Sequence, residues 1–479
     1  MFEVTWSLKC TDAFGEINKE LYGGFVEHLG RNVYGGVYDP ASPAADEDGF
    51  RKDVMDLIRD LDMPVTRYPG GCYVDLERWE DSVGPNRRSR IDPAWHQLEP
   101  NTFGLDEFMK WARKVNTEPL MTVNVGNRSL LDTLSLYEYC NFPGGTYWSD
   151  QRRANGIEKP YNIKNWCIGN ELYGSWEMGQ MSAAEYGRLA REHGKLLKKL
   201  DPGCRIIVSG SPYDMKWNRT VLELCGMYAD VISLHDAFSQ VGDMTELQYL
   251  KTVDRFEKYL LDTIKECKAY EALSGRRVKV SVDEWIIWDF ERRMDPAEEW
   301  TSGMHLLEQD YTILEALIAG SLFSCFHRHC DWVETACIAQ SVNVIAPIRT
   351  EDDGTSWRQS IYYPFQLTSK YGRGISLIPE ESGNDEKNLY GSAVLDESAK
   401  LLTLFVTNRS GEPCSFSAEF ADAVALADSV TMYNSDHALT NSAASEVLQP
   451  QSLECTFSGK RVNATLAGCS WNMIQLSLA

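Results

Sequence analysis

Asn165–Leu172, NWCIGNEL, is an apolar run that ends in Gly169 and sets down Asn170 and Glu171 where a buried strand would surface. Downstream, Ser182 and Glu185 have capping-box spacing, and Tyr186, Leu189, Ala190, His193, Leu197 and Leu200 share one helical face. Asp201-Pro202-Gly203 breaks that helix, and Arg205–Ser209, RIIVS, reads as the next apolar strand. Two strands of the fully buried kind joined by a helix make a parallel β-α-β unit.

The same unit repeats in both directions. Apolar strand signals centre on Phe25, Val65, Met121, Trp166, Ile207, Ile232, Val280 and Phe323. Helical spacing falls between them, at Arg51–Leu61, Leu105–Ala112, Leu130–Cys140 and Thr220–Met227, and in one long helix from the Thr245/Gln248 cap past Ile264. A helix around Leu306–Ala319 leads into SLFSCFHRHC, read as the eighth strand. Eight alternations predict a (β/α)8 TIM barrel. A doubly wound sheet is the alternative, but neither G-x-G-x-x-G nor G-x-x-x-x-G-K-[ST] occurs.

From about Gly374 the period changes to two. Leu389–Leu395, Leu401–Asn408, Cys414–Phe420, Val430–Tyr433 and Ser470–Leu478 alternate, with Gly, Asn, Asp and Ser between them, which predicts an all-β sandwich. The opening strand alternates too, with Phe2, Val4, Trp6 and Leu8, and needs a sheet to join. The expected division is residues 1–14, an N-terminal strand joining the sandwich; 15–373, the barrel; and 374–479, the C-terminal sandwich, with the charged loop Pro379–Asn388 at the boundary.

The 479 residues carry a formal charge of −23, which opposes binding to nucleic acid or to an anionic membrane but not to a neutral polyhydroxylated ligand. No window has the ~18–20 apolar residues of a spanning helix, and the N-terminus lacks the basic-then-apolar pattern of a signal peptide. Thirteen scattered cysteines without a C-x-x-C pair suit reduced thiols and a cytoplasmic setting.

In a barrel, reacting groups gather at the C-terminal ends of the strands. Glu171 ends the fourth strand and Glu284, in VKVSVDEW, stands on the seventh, across that face. Two carboxyls there suit the ~5–5.5 Å separation of a retaining glycosidase, one kept protonated by burial or a like charge and the other ionised by hydrogen bonds.

The stretches YGGFVEHLGRNVYGG, RYPGGC, NWCIGNE, SLH, DEWIIW and CIAQSVNV, taken together and in order, resemble the α-L-arabinofuranosidases of glycoside hydrolase family 51 over the whole chain. The resemblance implies that Glu171 is the acid/base and Glu284 the nucleophile of a two-step retaining reaction. It implies that Glu27, Cys72, Asn170 and Gln340 hold the furanose hydroxyls, with Asn170 on the 2-hydroxyl. No cofactor or metal is expected. The partner it implies is an arabinose-containing oligosaccharide, already imported, and family analogy suggests a homo-oligomer, a hexamer. Arg67 is expected to support the ionisation of Glu284 and His235 to hydrogen-bond on the pocket wall. Trp285 and Trp288 read equally as sugar platforms or as core.

The chain departs from the family pattern at two places. Asp236-Ala237-Phe238 follows SLH where a Tyr is usual, and Asp289 follows Trp288. Asp236 would raise the proton affinity of Glu284 if aimed inward, or else pair with an arginine or face solvent. Galactofuranosidase or endo-glucanase activity on the same fold is therefore an alternative, as is a non-catalytic sugar-binding barrel, which would not need both glutamates. An aldose isomerase barrel lacks its ligand set. His327 and His329, with Cys325 and Cys337 near, would share a strand face, but a tetrahedral metal site needs further ligands at matching distances, and the resemblance implies that His329-Cys330-Asp331 is barrel scaffold.

Overall fold

The computed structural model describes residues 1–9, 13–290, 299–421 and 424–478. Eight parallel strands form the barrel: Gly24–Phe25, Val65–Tyr68, Glu118–Val123, Asn165–Ile168, Arg205–Ser209, Val231–Phe238, Lys279–Ile287 and Val333–Ile338. They pair in chain order, and a parallel bridge between Gly23 and Cys337 closes the ring. Val65, Leu120, Cys167, Ile207, Val231 and Cys337 pack together as one interior layer, contributed by six of the eight strands.

The fourth strand is shorter than expected. It stops at Ile168 because Gly169 takes φ 76°, a left-handed conformation that turns the chain out of the ladder. Asn170 and Glu171 are thus delivered by a turn at the strand's mouth.

The eighth strand corrects the expectation. Phe323 lies in a helix, Ile313–Arg328, capped by Thr312 and Glu315, and the strand is the following segment VETACI. This helix is wedged between barrel and sandwich and is buried on nearly every side, so it lacks the apolar stripe that marks a surface helix. Gly320 lets it approach the sandwich, since a Cβ there would stand 2.1 Å from Trp471 Cδ1. His327 and His329 consequently diverge. Buried His327 contacts Tyr22 Oη (2.7 Å) and Ser392 Oγ (2.9 Å), whereas His329 contacts Glu257 (2.8 Å). The long helix expected after Thr245 is two, Glu246–Leu250 and Thr252–Ser274.

The sandwich has sheets of five and seven strands. Phe2–Leu8 lies in the first, parallel to Cys414–Phe420 and antiparallel to Glu380–Ser382, so part of the expected boundary loop is an edge strand. Its Val4, Trp6 and Leu8 enter the sandwich core. Ala13–Glu16, unseen in the sequence pattern, joins the other sheet against Ile375–Leu377. Buried Arg409 ion-pairs with Asp254 and so ties the sandwich to a barrel helix. Among the described residues the cysteines are free thiols; Cys10 lies outside them. None of the described helices is long and apolar enough to cross a membrane.

Candidate active site

The centre of the site is built on Arg67, a buried residue of the second strand whose guanidinium stacks over Phe25, 4.6 Å from the ring centroid. Nη1 donates to Glu284 Oε2 at 2.6 Å and Nη2 to Asn170 Oδ1 at 2.7 Å, while Nε stands 3.4 Å from Asp283 Oδ2. Consecutive residues of a regular strand face opposite sides. Asp283 and Glu284 both reach Arg67 because the seventh strand shifts register between Val282 and Trp285.

Buried His235 bridges the two carboxyls that sequence reading paired. Its Nδ1 lies 2.9 Å from Glu171 Oε1 and 3.5 Å from Glu284 Oε2, and Nε2 lies 3.8 Å from Asp283. The nearest carboxyl oxygens therefore cannot be farther apart than the sum of the first two distances. That sum falls just short of the ~6.5–9.5 Å that inverting glycosidases use. Glu171 also accepts from Tyr173 Oη (3.0 Å) and Trp176 Nε1 (2.7 Å).

The charges follow from this packing. Burial opposes the charge on His235, but Glu284, Asp283 and Glu171 outweigh it and raise its pKa to about 10. Burial pushes Asp283 up, yet His235 and Arg67 hold it well below the usual carboxylate range. Burial, reinforced by the like charges of Glu171 and Glu177, lifts Glu284 to about 7 against the pull of His235 and Arg67. Burial pushes Glu171 up as well, but hydrogen bonds from His235, Trp176 and Tyr173 carry it below its ordinary value. In the free site the more readily ionised carboxyl is thus Glu171, the reverse of the expected order, and a proton is held on His235.

A cavity of about 590 Å³ opens above this centre. Glu27, Cys72, Glu171, His235, Glu284, Trp288 and Gln340 line it, while Asn170 and Arg67 lie beneath. Glu27 accepts from Gln340 Nε2 (2.7 Å), Trp95 Nε1 (3.0 Å) and Tyr73 N (3.2 Å); burial and then Glu284 raise it to about 8. Gln340 is oriented in turn by Asn32, whose Nδ2 donates to its Oε1 at 2.9 Å. Burial pushes the Cys72 thiol well above its ordinary value, and the thiol donates to Glu177, which suits a pocket wall and not a thiolate nucleophile. Trp285 is core, edge-on to Phe323.

Asp236 is not aimed at Glu284. It accepts from Arg255 Nη2 (3.0 Å) and Tyr213 Oη (3.0 Å), and Phe238 turns into the core. Tyr213, from the loop after the fifth strand, thereby brings a phenol to the cavity wall. Sequence reading missed Tyr213, Trp95, Tyr173, Trp176 and Glu177. The available signal was the density of aromatic and acidic residues just after Glu171, in LYGSWE.

Residues 57–246 match the family model described as the alpha-L-arabinofuranosidase 1 domain, and residues 283–470 match the alpha-L-arabinofuranosidase C-terminal domain. The chain is 40% identical to intracellular exo-alpha-(1->5)-L-arabinofuranosidase 1 of Bacillus subtilis over 96% of both chains. It is 36% identical to an exo-alpha-(1->6)-L-arabinofuranosidase of Bifidobacterium longum over 96% of this chain and 94% of that one. Among solved structures, a family 51 alpha-L-arabinofuranosidase from Bifidobacterium longum superposes with TM-score 0.94 at 34% identity, covering 99% of each chain. An arabinose complex of the Thermotoga maritima alpha-L-arabinofuranosidase gives 0.89 at 30% identity, covering all of both.

Proposed function

The chain belongs to the family 51 α-L-arabinofuranosidases, and from that premise we propose that Glu284 is its nucleophile and Glu171 its acid/base. The enzyme is a retaining exo-glycoside hydrolase that removes terminal α-L-arabinofuranosyl residues from oligosaccharides. The observation that carries the assignment is the shared contact of both carboxyls with His235 Nδ1, at 2.9 and 3.5 Å.

Glu284, steered by Arg67, attacks the anomeric carbon while Glu171 delivers to the leaving oxygen a proton that the free enzyme keeps on the His235–Glu171 pair. The glycosyl ester neutralises Glu284 and removes a like charge from Glu171, which stays ionised and takes a proton from the attacking water. Asn170, with its Oδ1 committed to Arg67, presents its amide to the sugar's 2-hydroxyl. Glu27, Cys72 and Gln340 hold the remaining hydroxyls, and Trp288 flanks the ring. Tyr213, Asp236 and Ala237 form the wall that selects the sugar and its linkage. The relatives named intracellular and the absence of a spanning helix among the described residues support a cytoplasmic enzyme acting on imported oligosaccharides. A homo-oligomer, a hexamer by family analogy, is part of the same reading.

The test is a panel of aryl furanosides and pyranosides with the first-formed product followed by NMR. Arabinofuranosides should be cleaved fastest, with the anomeric configuration retained. An inverted first product would overturn the double-displacement reading, and a faster galactofuranoside would overturn the sugar.

A further inference from the structure

Beneath the sugar site lies a second carboxyl pair that the reaction above does not use. Asp75 is fully buried in the 3-10 turn Cys72–Leu76, and Glu177 is 5% exposed in the loop that follows Glu171. Asn127 Nδ2 donates to both Asp75 O and Met178 O, which holds the Asp75 turn against the loop that carries Glu177. Among the described residues, Asp75 Oδ1 and Oδ2 and Glu177 Oε2 are buried with no hydrogen-bond donor, and no Lys or Arg ion-pairs with either residue. Three carboxyl oxygens buried without a donor cannot all belong to ionised groups; one proton held between the two carboxyls satisfies them.

The hydrogen bonds fix where that proton sits. Arg67 can only donate, so Asn170 must turn Oδ1 toward it and Nδ2 toward Glu177 Oε1, 2.9 Å away. Cys72 Sγ donates to the same Oε1 at 3.1 Å. An oxygen that accepts twice carries no proton, which leaves the proton on the Oε2–Asp75 side. We propose that Asp75 and Glu177 share one proton and act as a positioning pair, locking the amide of Asn170 in the orientation that meets the sugar's 2-hydroxyl. This rests on the role assigned to Asn170 above.

The surroundings agree. Burial, then Glu177, then the charge of Glu171 push Asp75 up to about 10, and burial with Glu171 also raises Glu177. Cys72, the other titratable neighbour, is itself held as a thiol. The pair therefore keeps its proton through neutral pH.

Infrared difference spectroscopy at neutral pH between the wild type and Asp75→Asn reads the proton directly. The carbonyl band of a protonated carboxylic acid should disappear in D75N, whose amide donates to Glu177 permanently; an unchanged band would overturn the shared proton. Kinetics read the positioning role. Glu177→Leu should lower kcat/KM on an aryl arabinofuranoside up to about a hundredfold but have a much smaller effect on its 2-deoxy analogue, and Glu177→Gln, which keeps the acceptor, should restore the difference. Equal losses on both substrates would reduce the pair to a purely structural role. If Glu177→Leu does not fold, the infrared comparison still decides. Equal losses for Asn170→Ala on the two substrates would instead overturn the role of Asn170 and leave the shared proton standing.

Discussion

Arg67 holds three acceptors that would otherwise be buried anions or an unfixed amide: Glu284, Asp283 and Asn170. Arg67→Met should therefore cost both activity and stability, the latter by about 3–5 kcal/mol because Asp283 is left charged and buried; chemical denaturation measures it. Glu171→Ala should slow substrates with poor leaving groups far more than activated aryl glycosides, and azide should partly rescue it; equal losses would contradict the acid/base role. The pH profile of kcat/KM follows from the same atoms. Activity should rise as pH climbs through about 7, where Glu284 ionises, and fall toward about 10, where the proton on His235 is lost. His235→Gln should move the alkaline limb to lower pH. That Glu171, Glu284 and Arg67 would gather at the strand ends was legible in the sequence, because strand ends and a family motif mark them. The hub position of His235 was not, since it depends on distances across three strands.

The elements were legible where their patterns were periodic and failed where burial erased the period. Ser182/Glu185 and Thr245/Gln248 form the capping boxes that their spacing predicts. The second half of the helix Ile313–Arg328, from Ser321, reads as a strand because its apolar residues run all the way round. Gly320 in that helix is the point of closest approach to Trp471, so Gly320→Val should destabilise the protein by about 1–3 kcal/mol through overpacking, with little change in KM if the barrel mouth is undisturbed. Thermal unfolding alongside steady-state kinetics separates the two. The cavity wall at Asp236 is likewise an element-scale feature, assembled from the ends of two neighbouring strands. Asp236→Asn or Tyr213→Phe should alter the ratio of kcat/KM among furanosides while leaving the Glu171–Glu284 chemistry intact. An unchanged ratio would remove that wall from substrate selection.

At the scale of the molecule, a net charge of −23 acts on a neutral substrate only weakly. Turnover of an uncharged aryl arabinofuranoside should therefore vary little with salt, and native mass measurement should return a multiple of the chain, six by the family expectation. The two-layer plan was legible as a change of period near Gly374. The entry of Ala13–Glu16 into the opposite sheet was not, because four largely exposed residues carry no alternation. The central claim, that Glu284 and Glu171 divide one double displacement between them, is met most directly by mass spectrometry of Glu171→Ala during turnover of an activated aryl arabinofuranoside. The account predicts a protein heavier by one pentosyl group, with the added mass mapping to the peptide at Glu284. Turnover with no accumulated adduct, or an adduct on another residue, would contradict it.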